Sequence, residues 1–231
     1  MAHVNELQPL APGTEPDHTV WETANAFHRK SCHGRYALAY LKGVLPALQY
    51  WYTEGCHGLF TVLDAPTGEG RGAAYIAEQL GGQKQSRVHA IDINPATYRS
   101  PDVVYIIDDL LSFLFDPSAQ GHYNCIVCLE FLEHVDERYG REVVKAIYDA
   151  LKPGGRAVFS SPRRRPREST VGRSHHIHEY WDQEFHYLIE EHFPITERWS
   201  FDRYANATPY SPDANLMVCI GTKLPHTEVF S

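Results

Sequence analysis

Apolar and polar positions follow two rhythms along this chain. Near the N-terminus, Ala37, Leu38, Leu41, Val44, Leu45 and Leu48 recur at helical spacing, which predicts helices over residues 21–55, with Pro46 kinking or restarting the second. From Phe60 onward, short β-branched runs alternate with amphipathic stretches. Phe60–Asp64, Val88–Asp92, Val103–Ile107, Tyr123–Leu129 and Arg156–Ser160 read as strands; Gly72–Leu80, Arg141–Leu151 and Trp181–His192 read as helices. Gly81-Gly82 stops the first of these helices and Pro153-Gly154-Gly155 the second. Two late strands are predicted near Ile195–Phe201 and Leu216–Thr222. Apolar strands alternating with helices make a parallel sheet covered on both faces, an α/β fold of three layers. Residues 1–20, polar and proline-rich, read as an N-terminal arm, and residues 21–231 as one domain.

Composition narrows the function classes. The 231 residues are 43% hydrophobic and 22% charged, enough apolar side chain for a single core. A formal net charge of -8 and a pI near 5.9 argue against a surface-wide grip on nucleic acid and leave only local basic patches for that role. No apolar run reaches bilayer length, and Met1 to Asp17 holds no hydrophobic signal core, so the expected setting is cytoplasmic with no membrane partner. Cys32, Cys56, Cys125, Cys128 and Cys219 are odd in number and scattered, as reduced thiols are. Cys125 and Cys128 share a predicted strand, where residues three apart face opposite sides. They read as two small core hydrophobes rather than a metal or redox pair.

The most informative stretch is Val62-Leu63-Asp64-Ala65-Pro66-Thr67-Gly68-Glu69-Gly70-Arg71-Gly72, a strand running through a glycine-rich turn into a helix. Glycines let the backbone approach a ligand closely, and the helix N-terminus behind them offers unpaired N–H groups. Asp92 ends the next strand, and Asp108 and Asp109 follow the third. Each acid alone serves as a loop acid or helix cap; carboxylates at three successive strand ends are something a core does not need. A carboxylate at Asp64 repels the pyrophosphate of a dinucleotide and suits a ligand bearing an ammonium and a sulfonium. Asp92 can accept two ribose hydroxyls, and Asp108 or Asp109 an adenine amino group. Those are the parts of S-adenosylmethionine (SAM).

From about Arg35 to Thr222 the sequence resembles the class I SAM-dependent methyltransferases. The resemblance is carried by the glycine turn, by Ala90-Ile91-Asp92-Ile93-Asn94, by Ile107-Asp108-Asp109-Leu110-Leu111, and by Tyr123-Asn124-Cys125-Ile126-Val127-Cys128-Leu129-Glu130-Phe131-Leu132-Glu133-His134-Val135. Leu151-Lys152-Pro153-Gly154-Gly155-Arg156 is similar to the family's turn before the fifth strand. The resemblance implies a three-layer Rossmann-like sandwich with a seven-stranded, mostly parallel sheet whose last strand is inserted antiparallel. It implies a cofactor site in which Asp64 and Gly68 face the methionine part, Asp92 the ribose and Asp109 the adenine. Ala65, Pro66, Gly70, Ile93, Asp108, Leu110, Leu129 and Glu130 complete that set, and S-adenosylhomocysteine (SAH) is the product. Pro66 departs from the pattern, standing where the family usually has its first glycine and removing one backbone N–H. Arg35-Tyr36 is placed like an Arg-Tyr pair of related bacterial enzymes, either closing over the cofactor or packing a helix.

Methyl transfer asks the protein to hold nucleophile, methyl carbon and sulfur in line, and a hydroxyl acceptor usually also needs a base or a metal. Glu133 and His134, after the fourth strand, are the candidate catalytic residues, with His134 as general base. In the alternative, Glu130, Glu133, His134 and His178 hold Mg²⁺ or Mn²⁺. Glu-x-x-Glu-His with a later His resembles the metal site of bacterial small-RNA 2′-O-methyltransferases, and is similar to the ubiquinone-biosynthesis O-methyltransferases. Arg163, Arg164 and Arg165 follow the fifth strand on the ligand-binding edge and, with Tyr180, are candidates for binding an anionic acceptor; a solvated loop and a core aromatic are the plainer readings. The expected activity is SAM-dependent O-methylation of a small-molecule, sugar or other anionic acceptor, a glycan included. The alternatives are a metal-assisted 2′-O-methyltransferase of RNA ends and a non-catalytic SAM-binding module.

Overall fold

The computed structural model describes residues 34–54, 58–81, 85–164, 176–201, 207–211 and 214–225. The expected N-terminal arm and Arg165 lie outside these residues. A π-helical turn, Tyr40–Val44, leads directly into α1, Leu45–Thr53. Pro46 falls in the first turn of α1, where its missing N–H costs least, and the wider turn ahead of it absorbs the interruption.

The αβ series follows as β1 (Phe60–Asp64), α2 (Arg71–Gln79), β2 (Ser86–Asp92), β3 (Val103–Ile107), α3 (Leu110–Phe115) and β4 (Tyr123–Leu129). A 3₁₀ turn (Leu132–His134) then leads to α4 (Glu137–Ala150), β5 (Leu151–Pro162), α5 (Asp182–Glu190), β6 (Ile195–Phe201), β7 (Ala207–Pro209) and β8 (Leu216–Thr222). The sheet order is β3-β2-β1-β4-β5-β8-β6-β7. Strands β1 to β5 pair in parallel, and β8 is inserted antiparallel between β5 and β6, as expected. Among the described residues the sheet has eight strands rather than seven: β7 pairs antiparallel with the outer edge of β6, and three residues are too few to show a periodicity.

Two boundaries moved by four residues or more. Helix α4 begins at Glu137 rather than Arg141 because the Asp136 side chain accepts from the Tyr139 N–H at 2.9 Å and caps it there. Strand β5 begins at Leu151, which pairs with Tyr123 before a register shift, so Pro153-Gly154-Gly155 is an irregularity within the strand rather than a loop before it.

Each face of the sheet carries its own core. Leu63, Ile126, Cys128 and Phe159 pack against Val143, Ile147 and Leu188 of α4 and α5. Val62, Cys125, Val127 and Val158 pack against Leu48, Trp51 and Ile76 of α1 and α2. Cys125 and Cys128 thus face opposite layers, as their spacing requires. Burial pushes both thiols up, Cys125 to about 12, which suits neither metal binding nor redox chemistry. No described helix is long and apolar enough to cross a membrane.

The order of strands places the site. The chain steps outward from β1 to β2 and β3, then crosses to β4 on the other side of β1. The switch point falls between β1 and β4, and ligands of such sheets bind at the carboxyl ends of the strands there.

Candidate functional site

Beyond Asp64 the chain turns through a cis Ala65–Pro66 bond into Gly68 and Gly70, whose φ values are 57° and 90°. At Gly70 both conformation and space demand glycine, since a Cβ would lie 2.3 Å from the Tyr98 carbonyl oxygen. A Cβ on Gly72 would sit 1.8 Å from Cζ of Tyr36. The bare backbone at Gly72 therefore lets the Tyr36 ring lie across the turn. There its hydroxyl donates to Asp64 Oδ1 at 3.0 Å, and the Thr67 hydroxyl donates to Oδ2 at 2.6 Å.

Asp64 and Ala65 are fully buried and lie beneath the cavity described below, not on its wall. Burial pushes the Asp64 carboxyl up to about 7, against the lowering effect of the Thr67 and Tyr36 hydrogen bonds. Its folded value is raised, so its contribution to stability is complete below the ordinary 3.8 and is lost as pH rises through about 7. Thermal unfolding of Asp64→Asn, which cannot ionise, is therefore expected to gain on wild type progressively as pH rises over that window. A difference between the two proteins that does not change with pH would show that Asp64 is not held protonated.

Above the turn opens a cavity of about 820 Å³. Gly68, Asp92, Ile93, Asp108, Asp109 and Leu110 line it together with Leu129, Glu130, Phe131, His134, Val135 and Tyr139, and Arg35 and Tyr36 line it as well. Asp92 Oδ2 accepts from the Gly68 N–H at 2.9 Å and Oδ1 from the Asn94 N–H at 2.9 Å, which ties the glycine turn to the end of β2. Asp109 caps α3 by accepting from the Ser112 N–H at 2.9 Å, and its other oxygen accepts from the Tyr139 hydroxyl at 3.0 Å. The Ser112 N–H holds the Asp109 carboxyl below the usual range. Asp108 Oδ1 accepts from the Asp109 N–H at 2.8 Å.

At the end of β4, Glu130 has a φ of 53°, the left-handed region a non-glycine residue rarely enters and a frequent mark of functional sites. Its carboxylate is held on both oxygens: the Ser160 hydroxyl donates to Oε1 at 2.8 Å, and Arg35 Nη1 lies 2.7 Å from Oε2. Glu133 is 1% exposed and accepts from the Ser161 hydroxyl at 3.2 Å. Burial first, and the Glu130 charge second, raise its carboxyl well above the usual range.

Glu133, His134 and His176 bring ligating atoms within 4.8 Å of one another, and the His134 and His176 rings meet edge to face at 5.1 Å. His178, expected in this group, is instead beside Glu184, with Nε2 3.2 Å from Oε1. The backbone explains the exchange. The N–H groups of Ile177 and His178 both donate to the Glu133 carbonyl, at 2.7 and 3.1 Å, and the two histidines flanking Ile177 go to separate groups.

Of the expected acceptor residues, Arg163, Arg164 and Tyr180 are described, and these do not line the cavity. Arg163 Nη2 donates to Asp182 Oδ1 at 2.8 Å and to the Ser211 carbonyl at 3.0 Å, while the Arg164 guanidinium lies 5.1 Å from the Trp181 ring centroid. Tyr180, expected on a pocket wall, is fully buried in the core. The cations of the cavity are Arg35 and Arg71. Thr67 and Tyr139 escaped the sequence reading. Tyr139 shows a helix start locally, but its partner Asp109 lies 30 residues away.

Residues 27–211 match the methyltransferase domain family. Among curated proteins, the ubiquinone biosynthesis O-methyltransferase of Idiomarina loihiensis is 31% identical over 131 residues, which cover 52% of this chain and 49% of that protein. The match thus spans about half the length of that relative. Among solved structures, a SAM-dependent methyltransferase from Archaeoglobus fulgidus aligns with a TM-score of 0.56 at 15% identity, covering 78% of this chain and 93% of that one. The N-methyltransferase NodS of Bradyrhizobium japonicum in complex with SAH aligns with a TM-score of 0.52 at 19% identity, covering 90% and 93%. With its glycine turn, its strand-end acids and its inserted antiparallel strand, the chain belongs to the methyltransferase domain family and has the class I Rossmann-like fold.

Proposed function

We propose that this chain is a SAM-dependent methyltransferase acting on a hydroxyl of a small molecule. The observation that carries the reading is one cavity at the switch point lined by Asp92, Asp108, Asp109 and His134 together. The residues present fit the cofactor. The volume of about 820 Å³ is of the size that small-molecule sites have. Five acids against two arginines on the walls favour a cationic ligand. No protein atom lies within 4 Å of where a Cβ on Gly68 would project, so the turn leaves room at its surface.

Asp92 would hold the ribose hydroxyls, Asp108 and Asp109 the adenine edge, and Ile93 and Leu110 its apolar faces. Bound SAM supplies a methyl group on a sulfonium, which is already a good leaving group. The chain's own part is to exclude water, to align the acceptor oxygen, and to take its proton at His134. The partial match to an O-methyltransferase supports a hydroxyl acceptor. The anionic class of acceptor loses support, since Arg163 and Arg164 are engaged away from the cavity.

A second reading rests on Glu133, His134 and His176. Their donor atoms, two imidazole nitrogens and one carboxylate oxygen, suit Mn²⁺ or another transition-metal ion better than Mg²⁺; the ion would supply Lewis-acid activation of the hydroxyl and make His134 a ligand instead of a base. RNA ends are the acceptor of that reading. The pure chain, incubated with SAM and a panel of hydroxyl compounds and short RNAs, is expected to add one CH₂ by mass to a small molecule. Chelator-resistant turnover favours His134 as base, and turnover restored only by Mg²⁺ or Mn²⁺ favours the ion. SAH, and not NADH, is expected to raise the melting temperature; a protein unmoved by either SAM or SAH would sink the proposal.

A further inference from the structure

Among the described residues, one group of ligating side chains lies outside the lining of the cavity. Glu137 in the first turn of α4, Glu184 in the first turn of α5, and His178 before α5 each bring one donor atom within 4.8 Å of the others. The Tyr180 ring packs edge to face on His178, with centroids 4.5 Å apart. Tyr180 is fully buried, and its hydroxyl has no hydrogen-bond partner among the described residues. A Cβ on Gly140, three residues along α4 from Glu137, would lie 2.8 Å from that hydroxyl, which places it against the first turn of α4. A buried hydroxyl left without a partner costs about 1–3 kcal/mol, and native structures rarely tolerate one without an unseen water or ion beside it.

We propose that Glu137, His178 and Glu184 form a divalent transition-metal site of the Zn²⁺ class, separate from Glu133, His134 and His176. One imidazole nitrogen with two carboxylate oxygens is a borderline donor set that suits Zn²⁺ better than Mg²⁺ or Ca²⁺. Tetrahedral Zn²⁺ sets its ligands roughly 3.3 Å apart, so these side chains need only draw together, and Glu137 is exposed enough to do so. Each carboxylate keeps coordinating capacity. Arg141 engages Glu137 Oε1, and the Trp181 N–H engages Glu184 Oε2 while Oε1 faces His178. A water completing the coordination gives the Tyr180 hydroxyl its missing partner. The ion ties the first turns of α4 and α5 to His178, whose N–H hangs from the Glu133 carbonyl. It therefore steadies His176 against His134 without touching the cavity.

The test is calorimetric titration of the metal-stripped full chain with Zn²⁺, in wild type, His178→Ala, Glu137→Gln and His176→Ala. Glu137 is an exposed position, so that variant keeps the fold intact. One Zn²⁺ equivalent is expected to survive His176→Ala and to weaken at least about tenfold in both His178→Ala and Glu137→Gln. Co²⁺ in place of Zn²⁺ is expected to give a tetrahedral d–d absorption lost in the same two variants. Zn²⁺ affinity unchanged by His178→Ala, or no equivalent remaining in His176→Ala, overturns the site.

Discussion

His134→Ala is expected to lower methyl-transfer turnover by about 10²–10⁴-fold while leaving SAH affinity close to that of wild type. In transition-state terms this is about 3–5 kcal/mol. His134 is placed for this loss by its surroundings. It lines the same cavity as the strand-end acids, and the proposed reading assigns its imidazole to the acceptor rather than the nucleoside. Its ring is set edge to face against His176, which fixes its plane. Glu133, the preceding residue, is buried, and burial with the Glu130 charge raises its carboxyl well above the usual range. Single-turnover rates with saturating SAM, measured beside calorimetric SAH affinity, separate chemistry from binding. Turnover within a few-fold of wild type would remove His134 from the reaction. If the ion reading is right instead, His134→Ala also abolishes the response to Mn²⁺, which a mere base does not do.

The sequence was most legible where one local pattern decides one structure. Phe60–Asp64 and Tyr123–Leu129 came out with the bounds their apolar runs mark, because both strands are buried along their whole length; Val103–Ile107 did so as well, as an edge strand that exposes Val104 and Ile107. The strand-end acids followed from these bounds. What stayed hidden depends on long-range partners or on very short elements. Helix α3 is six residues long and set by the Asp109 cap; the acid was visible, but its double use as cap and Tyr139 partner was not. Asp64 was read as facing the ligand, yet the Tyr36 ring, admitted by a bare Gly72, covers it. His176 and His178 part only in the fold: the N–H groups of Ile177 and His178 share the Glu133 carbonyl, His176 lies beside His134 with Nδ1 2.8 Å from Glu179 Oε1, and His178 turns to Glu184. Tyr180 is amphipathic in composition alone; in the fold its whole surface is buried.

Gly70→Ala and Gly68→Ala are expected to fail in different ways, and the contrast tests the glycine turn more sharply than either alone. Both residues have positive φ, so alanine costs roughly 1–2 kcal/mol at each from backbone conformation. At Gly70 the added methyl also meets the Tyr98 carbonyl at 2.3 Å, with Ala96 and Tyr105 at 3.0 Å. Backbone cannot swing aside as a side chain does, and overpacking of this kind adds about 1–3 kcal/mol. Gly70→Ala is therefore expected to be the more damaging to the fold, with a melting temperature about 5–15 °C lower. At Gly68 no atom stands within 4 Å of the new methyl, and the residue lines the cavity. Its cost to the fold stays at the backbone term, and the methyl occupies ligand space instead. Gly68→Ala is accordingly expected to retain most of its thermal stability and yet to weaken SAH by on the order of tenfold, the loss of about 1.4 kcal/mol of contact. Equal melting temperatures for the two variants, or full SAH affinity in Gly68→Ala, would mean that the turn is not the floor of the cofactor site.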